Sequence, residues 1–130
     1  MSNTSPEDLD QRVAALLTAL QKLPPHRGVS FRGRTADSGF GREGQVVVTT
    51  GLTPTSRSVA VATENFTVPA LYVVLGRTGR AIQDLSRHPE EQEVVFLPSS
   101  MFTVVRSARV DDLPVTIVEQ LNPEIGRAHV

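Results

Sequence analysis

Pro89-Glu90-Glu91-Gln92-Glu93-Val94-Val95-Phe96-Leu97-Pro98 sets two acids, one residue apart, at the head of an apolar run bounded by prolines. Read as an extended segment rising roughly 3.3 Å per residue, it puts Glu91 and Glu93 on one side, about 6.6 Å apart along the chain. Val95 and Leu97 continue that side, and Val94 and Phe96 take the other. The segment therefore passes from an acidic mouth into an apolar interior. Paired carboxylates are one way to stabilise an oxocarbenium-like transition state at a glycosidic bond. Spacing alone, with Glu90 alongside, favours a solvated acidic strand start, so the neighbouring segments must decide between the two.

Working outward, Ser5-Pro6-Glu7-Asp8 opens a helix, with a serine cap, proline at the first helical position and acids against the helix dipole. Leu9, Val13, Leu16, Leu17, Leu20 and Leu23 recur at helical spacing and predict one apolar stripe covering the core, stopped by Pro24-Pro25. Val29 to Arg34 alternates, with Val29, Phe31 and Gly33 on one face and Ser30, Arg32 and Arg34 on the other, as a half-buried strand requires. Thr35 to Gly44 reads as a loop and Gln45 to Thr50 as a strand. Gly51 to Ser56 reads as a turn, followed by a short helix capped by Ser56 or Ser58. A buried strand is expected from Ala70 to Leu75, closed by Gly76, then helical character from Thr78 to Ser86 anchored by Ile82 and Leu85. Glu91 to Leu97, Ser100 to Arg106 and Val115 to Leu121 complete the strands. Helices early and short strands later predict an α+β domain built on antiparallel sheets, one domain over residues 1–122 with a loose tail over 123–130.

Composition narrows the chemistry without naming it. The 130 residues are enough for one domain with a core of its own, and no apolar run reaches the roughly 20 residues of a membrane helix. The polar, acidic start from Met1 to Asp10 is unlike a secretory signal, so the expectation is a cytoplasmic protein or one delivered by a route not encoded here. With no cysteine there is no disulfide framework and no thiolate zinc site. His26, His88 and His129 lie too far apart for metal-ligand spacing, and no metal is expected. A net charge of −1 gives no footprint for nucleic acid. Lys22 is the only lysine, an arginine-for-lysine usage that points to a bacterial source. There is no nucleophile elbow, phosphate-binding glycine loop or dinucleotide fingerprint; Gly76-Arg77-Thr78-Gly79-Arg80 lacks the lysine or third glycine these need. Taken singly, Arg32 reads as an ion-pair partner and the hydroxyls from Thr53 to Ser58 as turn and cap residues.

Their order carries more. Leu20-x-x-Leu23-Pro24 is followed by Val29-Ser30-Phe31-Arg32-Gly33 and by a Thr/Ser cluster with Ala62 and Phe66 beyond it. Gly79-Arg80-x-Ile82-x-x-Leu85-Ser86 comes next, and then the Glu91-Gln92-Glu93 segment. This succession, from about Leu9 to Leu121, resembles the Arg–Ser–Glu class of mono-ADP-ribosyltransferases, which includes clostridial binary toxins and vertebrate arginine-specific enzymes. The Glu-x-Glu-Val strand is the most specific part of the likeness, and the aromatic-Arg-Gly strand is second.

The resemblance implies a pair of small, mainly antiparallel sheets enclosing an NAD cleft, with an N-terminal helix and short flanking helices. It implies that Arg32 holds NAD phosphate and that the backbone of Gly33 clamps the nicotinamide carboxamide. Glu93 would stabilise positive charge as the C–N bond breaks, Glu91 would engage the acceptor, and Phe66 would line the nicotinamide pocket. Family members usually carry Ser-Thr-Ser where this chain has Pro54-Thr55-Ser56, so the bond to the catalytic glutamate falls to Thr53, Thr55 or Ser56, with Thr55 or Thr53 favoured. The implied activity is transfer of ADP-ribose from NAD to a protein side chain, arginine on the strength of Glu91, in a bacterial toxin or effector with a cognate immunity protein as a possible partner. NAD hydrolysis is the second reading. A degenerate module that binds a nucleotide or partner without turnover is the third.

Overall fold

A computed structural model describes residues 6–34, 42–64 and 67–122. Helix α1 spans Pro6–Gln21, with proline at its first position as expected; the Ser5 cap lies outside the described residues. Leu23 precedes Pro24 and is steered away from helical backbone, and the helix closes with Lys22 and Leu23 bonding back to Ala19 and Leu20. The stripe covers less than its spacing promised. Leu20 is buried, but Val13 is 46% and Leu16 47% exposed, so among the side chains described it is the C-terminal end of α1 that caps the core.

Among the described residues seven strands follow: β1 (Pro25–Arg34), β2 (Val46–Val48), β3 (Thr53–Ser56), β4 (Ala70–Ala81), β5 (Glu93–Phe96), β6 (Met101–Val110) and β7 (Leu113–Gln120). Helix α2 (Val59–Ala62) sits between β3 and β4 and is capped by the Ser58 hydroxyl, which accepts from Val61 N–H. The strands pair in the order β1-β3-β5-β4-β7-β6-β2, and β1 pairs again with β4. All pairings among the described residues are antiparallel except β4 with β7. The expected α+β class of mainly antiparallel sheets with few helices is therefore what forms. The strands join in one hydrogen-bonded sheet, not the expected pair, because β4 pairs with β1 from Ala70 to Arg80, with β7 along Leu71–Leu75 and with β5 at Arg80 and Ala81. Val74, Val94, Phe96, Phe102, Val104 and Val118 form the core.

Two stretches differ from expectation, each for a reason of packing. β4 does not stop at Gly76 but runs to Ala81, so the helix expected from Thr78 is extended chain followed by one 3-10 turn, Gln83–Leu85. A Cβ at Gly76 would stand 2.6 Å from Phe96 Cζ, and one at Gly79 2.6 Å from Val94 Cγ1. These glycines are there to let a buried ring approach a strand backbone. Leu85, expected to anchor a helix, is 70% exposed and has no core to anchor. Thr53–Ser56 is a strand, not a turn, because it finds a full partner in β5, with Thr53 opposite Phe96 and Ser56 opposite Glu93. The alternation in β1 holds, and the structure chooses the face left open by the sequence: Ser30 is 1% exposed opposite Val74, while Val29 is 45% exposed. Each face carries both large and small residues, so period alone could not choose between them.

Two outcomes follow from this packing. Gly79→Ala forces a methyl onto buried Val94 and Phe96 and should destabilise by about 1–3 kcal/mol, read as a melting temperature several degrees lower. His26 lies beside the β-bulge of β1, with Nε2 buried and without a hydrogen-bond partner. Burial first, and Arg57 second, push its pKa below the ordinary imidazole value. The unfolded chain then binds more protons, so this contribution to stability is complete above the unfolded pKa of about 6.5 and is lost as pH falls through the folded value. Between about pH 7.5 and pH 5 the wild type should lose more thermal stability than His26→Gln, and equal losses would show His26 is not the group responsible.

Candidate active site

A cavity of about 230 Å³ opens between β1 and β3. Phe31, Arg32 and Gly33 line it from β1, Pro54, Thr55 and Ser56 from β3, and Val61 and Ala62 from α2. Glu91 and Glu93 close it from the segment leading into β5. Six of the residues singled out in the sequence thus meet around one space: Arg32, Gly33, Thr55, Ser56, Glu91 and Glu93. Thr53 instead lines a neighbouring apolar cavity of about 180 Å³ and is joined there by Arg32 and Thr55. Phe66 lies outside the described residues.

The seam between β1 and β3 explains why there is room. These strands pair only at Phe31 and Ser56, although β3 pairs with β5 along its whole length. Pro54 has no N–H to offer on the β1 side, and its carbonyl there accepts instead from Arg32 Nη1 at 2.8 Å. That bond holds the exposed guanidinium across the cavity rim. Gly33 lies against the end of α2, where a Cβ would come within 2.2 Å of the Ala62 carbonyl oxygen. Any side chain here would displace α2 from the cavity wall.

The acids arrive differently from the way their spacing suggested. Glu91 ends a 3-10 turn, Pro89–Glu91, and Glu93 begins β5; Gln92 between them is left-handed, with φ 50° and ψ 50°. The two carboxylates are therefore not neighbours along one face of an extended segment. The left-handed residue folds the chain so that both still line the cavity. Such a conformation costs a non-glycine residue roughly 1–2 kcal/mol and persists only where its surroundings hold it. Here Gln92 carbonyl accepts from Arg57 N–H at 3.0 Å, the Ser56 hydroxyl donates to the Glu91 carbonyl, and Ile82 N–H donates to the Glu93 carbonyl at 3.1 Å.

The hydroxyl cluster does its work on the main chain. Thr55 Oγ1 donates to the Val94 carbonyl at 2.7 Å and Thr53 Oγ1 to the Gly51 carbonyl at 3.2 Å. Ser56 Oγ also accepts from Ser58 N–H at 2.9 Å. Each of the three thus bonds a main-chain carbonyl, not the Glu93 carboxylate that Thr53 or Thr55 was expected to hold. Reasoning from sequence missed Gln92, Arg57 and the Pro54 carbonyl. Glutamine carries no signal for a left-handed position, and a carbonyl has no side-chain signature at all.

Chemically, the cavity sets a guanidinium on one rim and two carboxylates on the other. That arrangement suits a ligand with anionic groups at one end and developing positive charge at the other. Among the described residues, no cluster of His, Asp and Glu could hold a metal ion, and no helix is long and apolar enough to cross a membrane.

Comparison with known proteins gives the same direction. The sequence profile of the NAD:arginine ADP-ribosyltransferase family matches residues 9–122. A Mycobacterium avium (strain 104) protein named NAD(+)–arginine ADP-ribosyltransferase Mav is 32% identical over 114 residues, which are 85% of this chain and 14% of that one. The ADP-ribosyltransferase Vis, a Vibrio splendidus toxin, superposes with a TM-score of 0.77 at 27% identity, covering 91% of this chain and 59% of Vis. In its complex with agmatine, Vis gives 0.75 at 26%, covering 94% and 63%. HopU1 of Pseudomonas syringae pv. tomato shares the fold, with a TM-score of 0.77 at 17% identity, covering 92% of this chain and 56% of HopU1. The chain spans only part of each relative's length. With the family profile running from α1 to the end of β7, the chain belongs to the NAD:arginine ADP-ribosyltransferase family.

Proposed function

We propose that residues 1–122 are the catalytic unit of a mono-ADP-ribosyltransferase that uses NAD as substrate and a guanidino group as acceptor. In this reaction the bond between ribose C1′ and the nicotinamide nitrogen breaks, and nicotinamide leaves with the electron pair. A bond then forms from C1′ to a guanidino nitrogen, which gives up a proton. The observation that carries the reading is the convergence of Arg32, Glu91 and Glu93 on one cavity from separate elements of the fold.

Arg32 is the group for the diphosphate, since a planar guanidinium on the rim can pair phosphate oxygens through two parallel bonds. The main chain at Gly33 is available to the nicotinamide carboxamide, and Phe66 is assigned to the same pocket from the family resemblance. Glu93 is the carboxylate for the ribose, where positive charge develops as the glycosidic bond lengthens. Glu91, one left-handed residue earlier, is the acceptor's carboxylate: it can hold a guanidinium by charge and draw its nitrogen toward C1′. Vis has been crystallised with agmatine, a guanidino compound, which supports an acceptor of that class here. Vis is a toxin, which supports a toxin or effector role here, with a cognate immunity protein as a possible partner.

Incubating the chain with NAD, with and without agmatine, tests these roles. Glu93→Gln should reduce both transfer and NAD hydrolysis by about 100-fold or more, the scale of removing one preorganised electrostatic group. Glu91→Gln should abolish transfer and leave hydrolysis running. Full activity in Glu93→Gln would overturn the assignment. Consumption of NAD by the wild type with no transfer to agmatine or to an arginine-containing protein would make the chain a hydrolase instead.

A further inference from the structure

The segment from Ile82 to Gln92 carries Glu91, and it is joined to the rest of the fold by few bonds. Its own turns are closed by Leu85 N–H to the Ile82 carbonyl at 2.9 Å, Glu91 N–H to the His88 carbonyl at 3.0 Å and Gln92 N–H to the Pro89 carbonyl at 3.1 Å. His88 pairs with Glu90 inside the same segment at 3.4 Å, and His88 N–H bonds Ser86 Oγ at 3.0 Å. None of these fixes the segment against the sheets. At its far end it is held by Ser56 and by the main chain of Arg57. At its near end, Ile82 N–H donates to the Glu93 carbonyl at 3.1 Å, and one residue further on the Arg57 guanidinium donates through Nη2 to Gln83 Oε1. Among the described residues, this is the side-chain bond that ties positions 83–90 to the body of the protein.

One residue therefore grips both ends of the acidic segment. Arg57 N–H takes the Gln92 carbonyl at 3.0 Å, and its side chain reaches back to Gln83. Arg57 adjoins Ser56 in sequence but is absent from the cavity lining. We propose that Arg57 is a positioning residue: it clasps the 82–92 segment so that Glu91 is held for the acceptor, favouring transfer of ADP-ribose over its loss to water. This rests on the transferase reading above. The physical argument is geometric. Glu93 belongs to β5, which is paired with β3 and β4 and needs no clasp. Glu91 lies outside the strand, at the end of a 3-10 turn, and its placement depends on the segment being closed. Water attacking C1′ needs no alignment by Glu91, whereas a guanidino nitrogen does. Loosening the clasp should thus divide the two reactions instead of lowering both.

The test compares Arg57→Gln, Arg57→Lys, Gln83→Ala and the Arg57→Gln/Gln83→Ala double variant in the full chain. Agmatine is the acceptor, and transfer and NAD hydrolysis are measured separately. Arg57→Gln and Gln83→Ala should each lower kcat for transfer about fivefold or more, while hydrolysis and the KM for NAD stay within about twofold. The double variant should lose no more than the worse single one, as expected for two ends of one interaction. Arg57→Lys keeps a cation that can reach Gln83 and should recover much of the transfer. Amide hydrogen exchange supplies a readout independent of activity: amides of 82–92 should exchange faster in Arg57→Gln, with β7 unchanged. Unchanged exchange in 82–92 overturns the clasp. Equal losses of transfer and hydrolysis overturn its selective role, as does transfer by Arg57→Gln at the wild-type rate. A wild type that consumes no NAD overturns the transferase reading itself, and exchange alone then decides the clasp.

Discussion

Phe96 can reach the centre of this fold only because β4 is bare at Gly76 and Gly79. The ring meets Phe102 edge-on, with centroids 5.2 Å apart, and thereby bridges the smaller pairing of β3 and β5 to the larger one of β4, β7, β6 and β2. Remove that approach and β5 could not sit close enough to pair with the end of β4. The acids preceding β5 would then lose their position opposite Arg32. A requirement for close packing in the interior thus fixes the geometry of charge at the surface.

β4 is the hinge of the arrangement in a topological sense. It pairs with β1 from Ala70 to Arg80, with β7 along Leu71–Leu75, and with β5 at Arg80 and Ala81. Its length comes from its composition: Ala70 to Leu75 is apolar enough to be buried between two neighbours, and the glycines beyond let the strand continue past a bulky ring. The parallel contact with β7 follows, since β5 and β6 are built between the two strands in sequence and β7 returns in the direction of β4.

Much of this was legible in the sequence, and the exceptions have identifiable causes. Strong local signals held: α1 from its proline start and apolar period, the β-branched runs of β2, β6 and β7, and the alternation of β1. The readings that failed depended on partners far away in the chain. Thr53–Ser56 has turn-forming residues but is drawn out by β5, and Thr78–Ala81 has helical spacing but is straightened by the same strand. At the site, the ordered residues Arg32, Gly33, Thr55, Ser56, Glu91 and Glu93 could be gathered from one line of sequence because the resemblance lay in their succession. How the two glutamates come together could not be read there. A left-handed glutamine leaves no mark in composition, and the bonds that hold it run from Ser56 and the backbone of Arg57, 35 residues away.

Pro54 casts the cavity itself in another light. Two strands that lie side by side ordinarily complete their ladder, and a ladder leaves no interior. At Pro54 the donor that would continue it is missing, the carbonyl is taken by Arg32, and the seam stays open beyond Phe31 and Ser56. The recess is thus an interrupted sheet, a gap in pairing that costs no added loop or lobe. The recess needs no residues set aside as walls, because its walls are strands that already serve the core.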